Sequence, residues 1–304
     1  MWQAYETGLL QGDTRSLARC ISLVENNVPG TDAFLQRLPP ANVPVIGLTG
    51  PPGAGKSTLV DSLIAHMVQQ GKRVAVLCVD PSSPFNLGAV LGDRIRMSNW
   101  YNHPQVFIRS LATRGSLGGL HPRILEITDL CKAAGFDYVV VETVGVGQSE
   151  IEITGLADAT VVVLVPEAGD EVQTMKAGLM EIANLFVVNK ADRPDADLFV
   201  RNLRLMLAPS FQRSHTEIPI IKTIATRHVG TDALWTAIEQ YLHTATFNKR
   251  KPWLLAEKAY HLIQQQRMKD VDKETLKNRI AAHLEQGNFN LYRFAAGYAQ
   301  PATL

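Results

Sequence analysis

Residues 50–57, Gly50-Pro51-Pro52-Gly53-Ala54-Gly55-Lys56-Ser57, follow the pattern G-x-x-x-x-G-K-[ST], a spacing suited to holding a polyphosphate. Gly50, Gly53 and Gly55 allow a tight backbone turn that aims N–H groups at phosphate oxygens. Pro51, Pro52 and Ala54 complete that loop, and Thr58 follows it. Lys56 has the reach and charge for the β- and γ-phosphates, and the Ser57 hydroxyl offers an oxygen to Mg²⁺. Such a loop works only between a strand and a helix. The run VPVIGL at 43–48 and the segment STLVDSLIAHMV at 57–68 supply both, so a bound nucleoside triphosphate is expected.

The elements that must position this loop recur along the chain. Short β-branched runs at 43–48, 73–80, 105–111, 137–142, 159–165, 185–190 and 218–223 alternate with helical segments. They read as continuous apolar stretches, as strands covered on both faces do. The expected fold is therefore α/β, a mostly parallel doubly wound sheet of the P-loop NTPase kind with helices on both faces. Ahead of it, residues 3–28 place Leu9, Leu10, Leu17, Ile21 and Val24 at helical spacing, and Thr31 is a candidate cap for a second short helix ending before Pro39 and Pro40. Beyond Phe247 helical spacing resumes at 253–268 and 272–286 without another strand signal. Three parts follow: an N-terminal helical extension (1–42), a nucleotide domain (43–247) and a C-terminal helical arm (248–304). The arm carries an apolar stripe of Leu255, Ala259, Leu262, Ile263, Leu276, Ile280 and Leu284. It either folds back on its own nucleotide domain or joins two subunits, and spacing leaves both open.

The run LFVVNK leads into Asn189-Lys190-Ala191-Asp192, an N-K-x-D motif at a strand's carboxyl end, where ligands sit in open α/β sheets. A carboxylate at Asp192 accepts both N1–H and the exocyclic N2 amine of guanine, whereas adenine would leave it unpaired. The expected nucleotide is GTP. Asn189 would support the base and its loop, the stem of Lys190 would lie along the purine, and the backbone of Ala225 would face the guanine oxygen.

Asp80, Asp93 and Glu142 lie in or near loops after core strands and are candidate Mg²⁺ partners, directly or through water. Glu142 and Gly145 form an E-x-x-G variant of the D-x-x-G switch, in which Gly145 would donate its N–H to the γ-phosphate. Where Ras-like enzymes place a water-orienting glutamine, this chain has Val146. Gln148, Arg94, Arg96, Gln173 and Lys176 are polar candidates for that task, and spacing assigns none of them. Slow hydrolysis, accelerated by a partner that orders these loops, is the expectation.

Thirty basic and twenty-nine acidic residues among 304 leave a formal charge of +1, so no overall field favours nucleic acid or an anionic membrane. Cys20, Cys78 and Cys131 are too scattered for a C-x-x-C pair or a disulfide framework. The first residues lack the pattern of a signal peptide, and the longest apolar run, near 160–165, is too short to span a bilayer. A cytoplasmic protein is expected.

Taken together, GPPGAGKST, VDPSSP, LGDRIRM, ETVGVGQSE, EAGDEVQTMKAGLMEIA and NKAD closely resemble the MeaB/ArgK/MMAA family of P-loop GTPases associated with methylmalonyl-CoA mutase. The likeness runs from about residue 5 to 290. It implies an additional switch through Gly169, Asp170, Glu171, Gln173 and Lys176. Lys56 and Glu142, with Gln173 and Lys176 from that switch, form the candidate catalytic set. The resemblance further implies Mg²⁺ held around Ser57, Asp80, Asp93 and Glu142, and a homodimer built largely through the C-terminal helices. Its implied role is a GTP-dependent chaperone that gates delivery of adenosylcobalamin to an acyl-CoA mutase and protects that enzyme. Two positions depart from the family's habit: Glu167, where relatives often have a small residue, and Ile224, in place of a serine before Ala225. Three other readings use the same loop, one of them a scaffold that binds GTP without hydrolysing it. A metal-insertion GTPase usually carries His-rich tracts or Cys clusters, which are dispersed here, and a kinase would pass the γ-phosphoryl group to an acceptor.

Overall fold

Seven apolar runs become seven strands among the described residues: β1 (Val45–Thr49), β2 (Val74–Asp80), β3 (Val106–Ala112), β4 (Tyr138–Glu142), β5 (Ala159–Leu164), β6 (Leu185–Val188) and β7 (Ile220–Lys222). They form one parallel sheet in the order β3-β2-β4-β1-β5-β6-β7. The computed structural model describes residues 2–80, 97–114, 120–145, 149–168, 182–214, 218–244, 251–268, 271–287 and 289–298. Every residue of β1, β2, β5 and β6 is buried, which is why these strands lack the polar alternation of a half-exposed sheet.

The helices among the described residues are α1 (Trp2–Leu10), α2 (Thr14–Glu25), α3 (Thr31–Leu35), α4 (Lys56–Gln69), α5 (Ile124–Ala133), α6 (Ser149–Leu156), α7 (Ala196–Ser214), α8 (Thr231–Thr244), α9 (Lys251–Arg267), α10 (Lys273–Glu285) and α11 (Leu291–Ala296). One face of the sheet packs against α4 and α8, through Leu59, Leu63, Ile64, Met67, Leu234, Trp235 and Ile238. The opposite face receives α2, α5 and α6 through Ile21, Val24, Ile127, Leu130, Ile153 and Leu156, and α7 through Phe199, Leu203 and Leu207. Removing a side chain of this size from water is worth about 1.5–3 kcal/mol. The doubly wound arrangement is the one expected from the sequence.

Two local details differ from the expectation. The N-terminal periodicity is broken at Gly12, whose φ is 79°, and Asp13 caps a new helix by accepting hydrogen bonds from Arg15 and Ser16. Thr31 is the first residue of α3 rather than its cap. That place belongs to Gly30 in the left-handed region, and the Thr31 hydroxyl donates backward to the Val28 carbonyl (2.6 Å). The indole of Trp2 stacks on Phe34 with ring centres 4.5 Å apart.

Residues 1–251 form one compact unit and 252–304 a second. In the second, Asp272 caps α10 by accepting from the Thr275 amide, and α11, absent from the sequence expectation, is capped by Asn290. No side chain of α10 or α11 is buried. Trp253, Leu255, Tyr260, Leu262, Ile263 and Leu284 are all exposed.

Candidate functional site

The chain leaves β1 at Thr49 and turns through residues 50–55 into α4. Gly50, Gly53 and Gly55 have φ of 142°, 76° and 86°, values costly for any residue with a Cβ. Space forbids one as well at two of them. A Cβ on Gly50 would lie 2.1 Å from the Val163 carbonyl oxygen, and one on Gly55 2.4 Å from Asn189 Nδ2. Gly55 also caps α4, with no side chain of its own to bond the first turn. Helix start and loop amides thus face the same crevice, beside the strand where the sheet order reverses.

Lys56 is buried, and its ammonium donates to the carbonyls of Gly50 (2.9 Å) and Pro51 (3.1 Å). The lysine is folded over the loop it is expected to serve, and those carbonyls solvate a charge that burial alone would penalise. Thr58 is half-buried one residue beyond Ser57, and Ala54 is fully buried.

Ser57 donates to Glu142 Oε1 at 2.7 Å, and both are buried. The strand register makes the meeting possible, since Glu142 ends β4 directly beside Leu48 of β1. Asp80, also buried, ends the adjacent β2, two residues past the Cys78 that pairs with Glu142. A hydroxyl from the first turn of α4 and two carboxylates at neighbouring strand ends, all hard oxygen donors, form a set that fits Mg²⁺. One residue past the end of β4, the Thr143 hydroxyl donates to Thr49 Oγ1 at the end of β1 (3.0 Å). Gly145 (φ 84°) presses on the loop. A Cβ there would meet the Gly50 carbonyl oxygen at 2.3 Å and Lys56 Nζ at 2.5 Å.

Asn189 follows β6 and is buried at the centre of three hydrogen bonds. Its Nδ2 donates to the Ala54 carbonyl (2.9 Å), while its Oδ1 accepts from Thr223 Oγ1 (3.1 Å) and the Ala225 amide (3.2 Å). One amide side chain thereby joins the phosphate loop to the loop after β7. Lys190, at φ 56°, reaches over to donate to the Gly53 carbonyl (2.7 Å). Asp192 is exposed, two residues beyond Lys190. Next to it, Arg193 forms an ion pair with Glu167. Slight desolvation raises the Glu167 carboxyl, but the hydrogen bond and charge of Arg193 outweigh it and hold the group below its ordinary value. Ile224 closes the loop through its backbone, by a bridge to Val229.

The structure therefore gathers Gly50 through Thr58, Asp80, Glu142, Gly145, Asn189, Lys190, Asp192 and Ala225 around the carboxyl ends of five strands. Asp93, Gln173 and Lys176 lie outside the described residues, as do Arg94, Arg96, Val146, Gln148 and 169–171. Sequence reading passed over Thr49, Thr143 and Thr223. Each is a polar residue at or just past the end of an apolar run, and that placement is the signal that would have marked it.

A parallel sheet reversing at its phosphate-loop strand, with N-K-x-D at the end of β6, defines a P-loop nucleotide-binding protein with the guanine-type base motif. Residues 17–281 match the family model described as methylmalonyl Co-A mutase-associated GTPase MeaB. The chain belongs to the MeaB family. A Pyrococcus horikoshii protein named as a GTPase is 48% identical over 238 residues, 77% of this chain and 75% of its own length. GTPase ArgK of Escherichia coli is 34% identical over 273 residues, covering 86% of this chain and 82% of its own. Fused isobutyryl-CoA mutase of Geobacillus kaustophilus is 36% identical over 251 residues, 76% of this chain and 23% of that longer protein. Among solved structures, that of a protein named LAO/AO transport system kinase has a TM-score of 0.67 and 26% identity, covering 98% of this chain and 96% of its own. Among the described residues no helix is long and apolar enough to cross a membrane.

Proposed function

We propose that this protein binds GTP with Mg²⁺ in the crevice around Lys56, hydrolyses it slowly, and uses that cycle to gate adenosylcobalamin delivery to an acyl-CoA mutase. The observation that carries the mutase link is the 36% identity to a stretch of a fused isobutyryl-CoA mutase, in which a segment of this kind is joined to a mutase in one chain.

Lys56 exchanges its two loop carbonyls for phosphate oxygens, and the loop amides and the first turn of α4 receive the rest of the charge. When bound, the metal supplies charge neutralisation at the phosphates, with Ser57, Asp80 and Glu142 as its protein-side holders and Asp93 as a further candidate. Asp192 reads the guanine edge, with the Ala225 backbone beside it. Gly145 is the timing contact. It lies against the Gly50 carbonyl and the Lys56 ammonium with no spare room, so a lysine that moves to meet a phosphate displaces its neighbour. Catalytic assistance comes from Glu142 and from Gln173 and Lys176 of the added switch.

The unit from Pro252 onward, with two helices that bury no side chain and with Trp253, Tyr260 and Ile263 exposed, serves as a homodimer arm. The division into extension (1–42), nucleotide domain (43–247) and arm (248–304) follows from these roles, and the cytoplasm is the compartment in which the mutase is met.

Single-turnover hydrolysis of labelled GTP, alone and with an adenosylcobalamin-dependent acyl-CoA mutase, tests the proposal. Slow release of inorganic phosphate that quickens with the mutase is expected, and a rate indifferent to the mutase would falsify the gating role. The likeness to a solved protein that bears the name of a kinase favours a second reading, γ-phosphoryl transfer. Label appearing on an acceptor instead of in inorganic phosphate would establish that one.

A further inference from the structure

The loop after β7 is tied to the phosphate-loop helix by a contact that no motif announces. Ser62, on α4 and 1% exposed, lies 2.8 Å from His228 Nδ1 and 2.7 Å from Thr231 Oγ1. A serine hydroxyl has one donor and two acceptor sites, so this three-membered chain is satisfied with the imidazole as either donor or acceptor. His228 is a surface residue at φ 53° and ψ 24°, a left-handed conformation uncommon for residues with a Cβ, although histidine enters it more readily than most. What holds it there is visible. Ile224 and Val229 close the loop by backbone hydrogen bonds of 3.0 and 3.3 Å, Gly230 is pressed against the Lys222 carbonyl with no room for a Cβ, and the imidazole is drawn onto a buried hydroxyl.

We propose that His228 is a positioning residue for the nucleotide base, latching the loop that presents the Ala225 amide to the helix that begins at Lys56. This rests on the GTP reading above. Side chains of the body hold the loop on both flanks of its turn: Asn189 takes the Thr223 hydroxyl and the Ala225 amide, and Ser62 takes His228 and, at the start of α8, Thr231. With both in place, base loop and phosphate helix move as one body. Without the His228 contact, that flank of the turn keeps only its backbone closure and the Ser62–Thr231 contact beyond it, so the loop shifts more freely about Asn189.

His228→Ala removes the anchor while retaining the strain, so the Kd for GDP and the KM for GTP should rise about five- to tenfold, with kcat changing far less. His228→Asn, which tolerates the left-handed conformation and keeps a hydrogen-bonding side chain, should recover most of the loss. Ser62→Ala attacks the same contact from the other side and should weaken GDP binding to a similar extent, with no further loss when combined with His228→Ala. A GDP affinity unchanged in His228→Ala, or in Ser62→Ala should the first variant fail to fold, overturns the inference. So does a double variant whose losses add. Wild-type protein that binds no GDP would instead overturn the underlying GTP reading, so the two failures are distinct.

Discussion

The hydroxyl of Ser57 and the carboxylate of Glu142, 85 residues apart in sequence, meet at 2.7 Å inside the protein because β4 runs beside the strand that feeds the phosphate loop. The pair connects the first turn of α4 to the strand end from which the Gly145 segment departs. Nucleotide binding and the response of that segment therefore share one contact.

Replacing either partner, as Glu142→Ala or Ser57→Ala, should weaken the Mg²⁺ dependence of GTP binding about 10- to 100-fold. Titrating Mg²⁺ against a fluorescent GTP analogue checks this, and chelation with EDTA should reproduce the effect in the wild type. An unchanged Mg²⁺ requirement in both variants would remove them from the metal site.

Gly145→Ala sets a methyl group 2.3 Å from a backbone oxygen of the phosphate loop, at a φ that already disfavours alanine. Because a carbonyl cannot swing aside as a long side chain can, the segment should be forced off the loop, and hydrolysis should fall by at least about tenfold. Single-turnover rates with matched GDP affinities separate this from a general binding defect.

Asn189→Ala leaves the buried Ala54 carbonyl, Thr223 hydroxyl and Ala225 amide without their shared partner. The expected destabilisation is about 2–3 kcal/mol, seen as a melting temperature lower by about 5–10 °C. Nucleotide affinity should drop with it, since the phosphate and base loops lose their common strut.

Asp192→Asn exchanges two acceptor oxygens for one acceptor and one NH₂ donor. Guanine, which presents two donors at this edge, should lose affinity, whereas xanthine, with a carbonyl in place of the amine, should gain it. A shift in the ratio of xanthosine to guanosine diphosphate affinities of about 100-fold is expected. Equal preference before and after the substitution would place base recognition elsewhere.

His121 is buried beside Glu25, with Glu126, Arg114 and Arg123 near it, and burial depresses its pKa from 6.5 to about 4. The unfolded chain takes up this proton at a higher pH than the folded one. Its contribution is therefore complete above about 6.5, declines as pH falls from 6.5 to about 4, and is then constant. The displacement corresponds to a loss on the order of 3 kcal/mol across that window. His121 Nδ1 accepts the Arg123 amide at 3.0 Å, a bond that an asparagine oxygen can imitate. Denaturant midpoints for His121→Asn, followed from pH 7 to 4, should be flatter than those of the wild type.

Sequence alone disclosed the phosphate loop, the N-K-x-D motif, the seven apolar runs and the family. Each is written in consecutive residues whose propensities and backbone demands act locally, and buried parallel strands leave unbroken apolar runs that need no partner to be recognised. Even there, the break between α1 and α2 at Gly12 and Asp13 was hidden inside a continuous helical pattern. The joints of the site were decided by the tertiary structure. Ser57 meets Glu142, Asn189 bonds Ala54 from 135 residues away, and Ser62 meets His228 from 166 away, because the strand order brings loops from distant parts of the chain to one end of the sheet. A hydrogen bond needs placement to within a few tenths of an ångström. Local sequence pattern specifies which residues are polar and where strands end, whereas the packing of helices on both faces of a particular strand order specifies which of those polar groups touch.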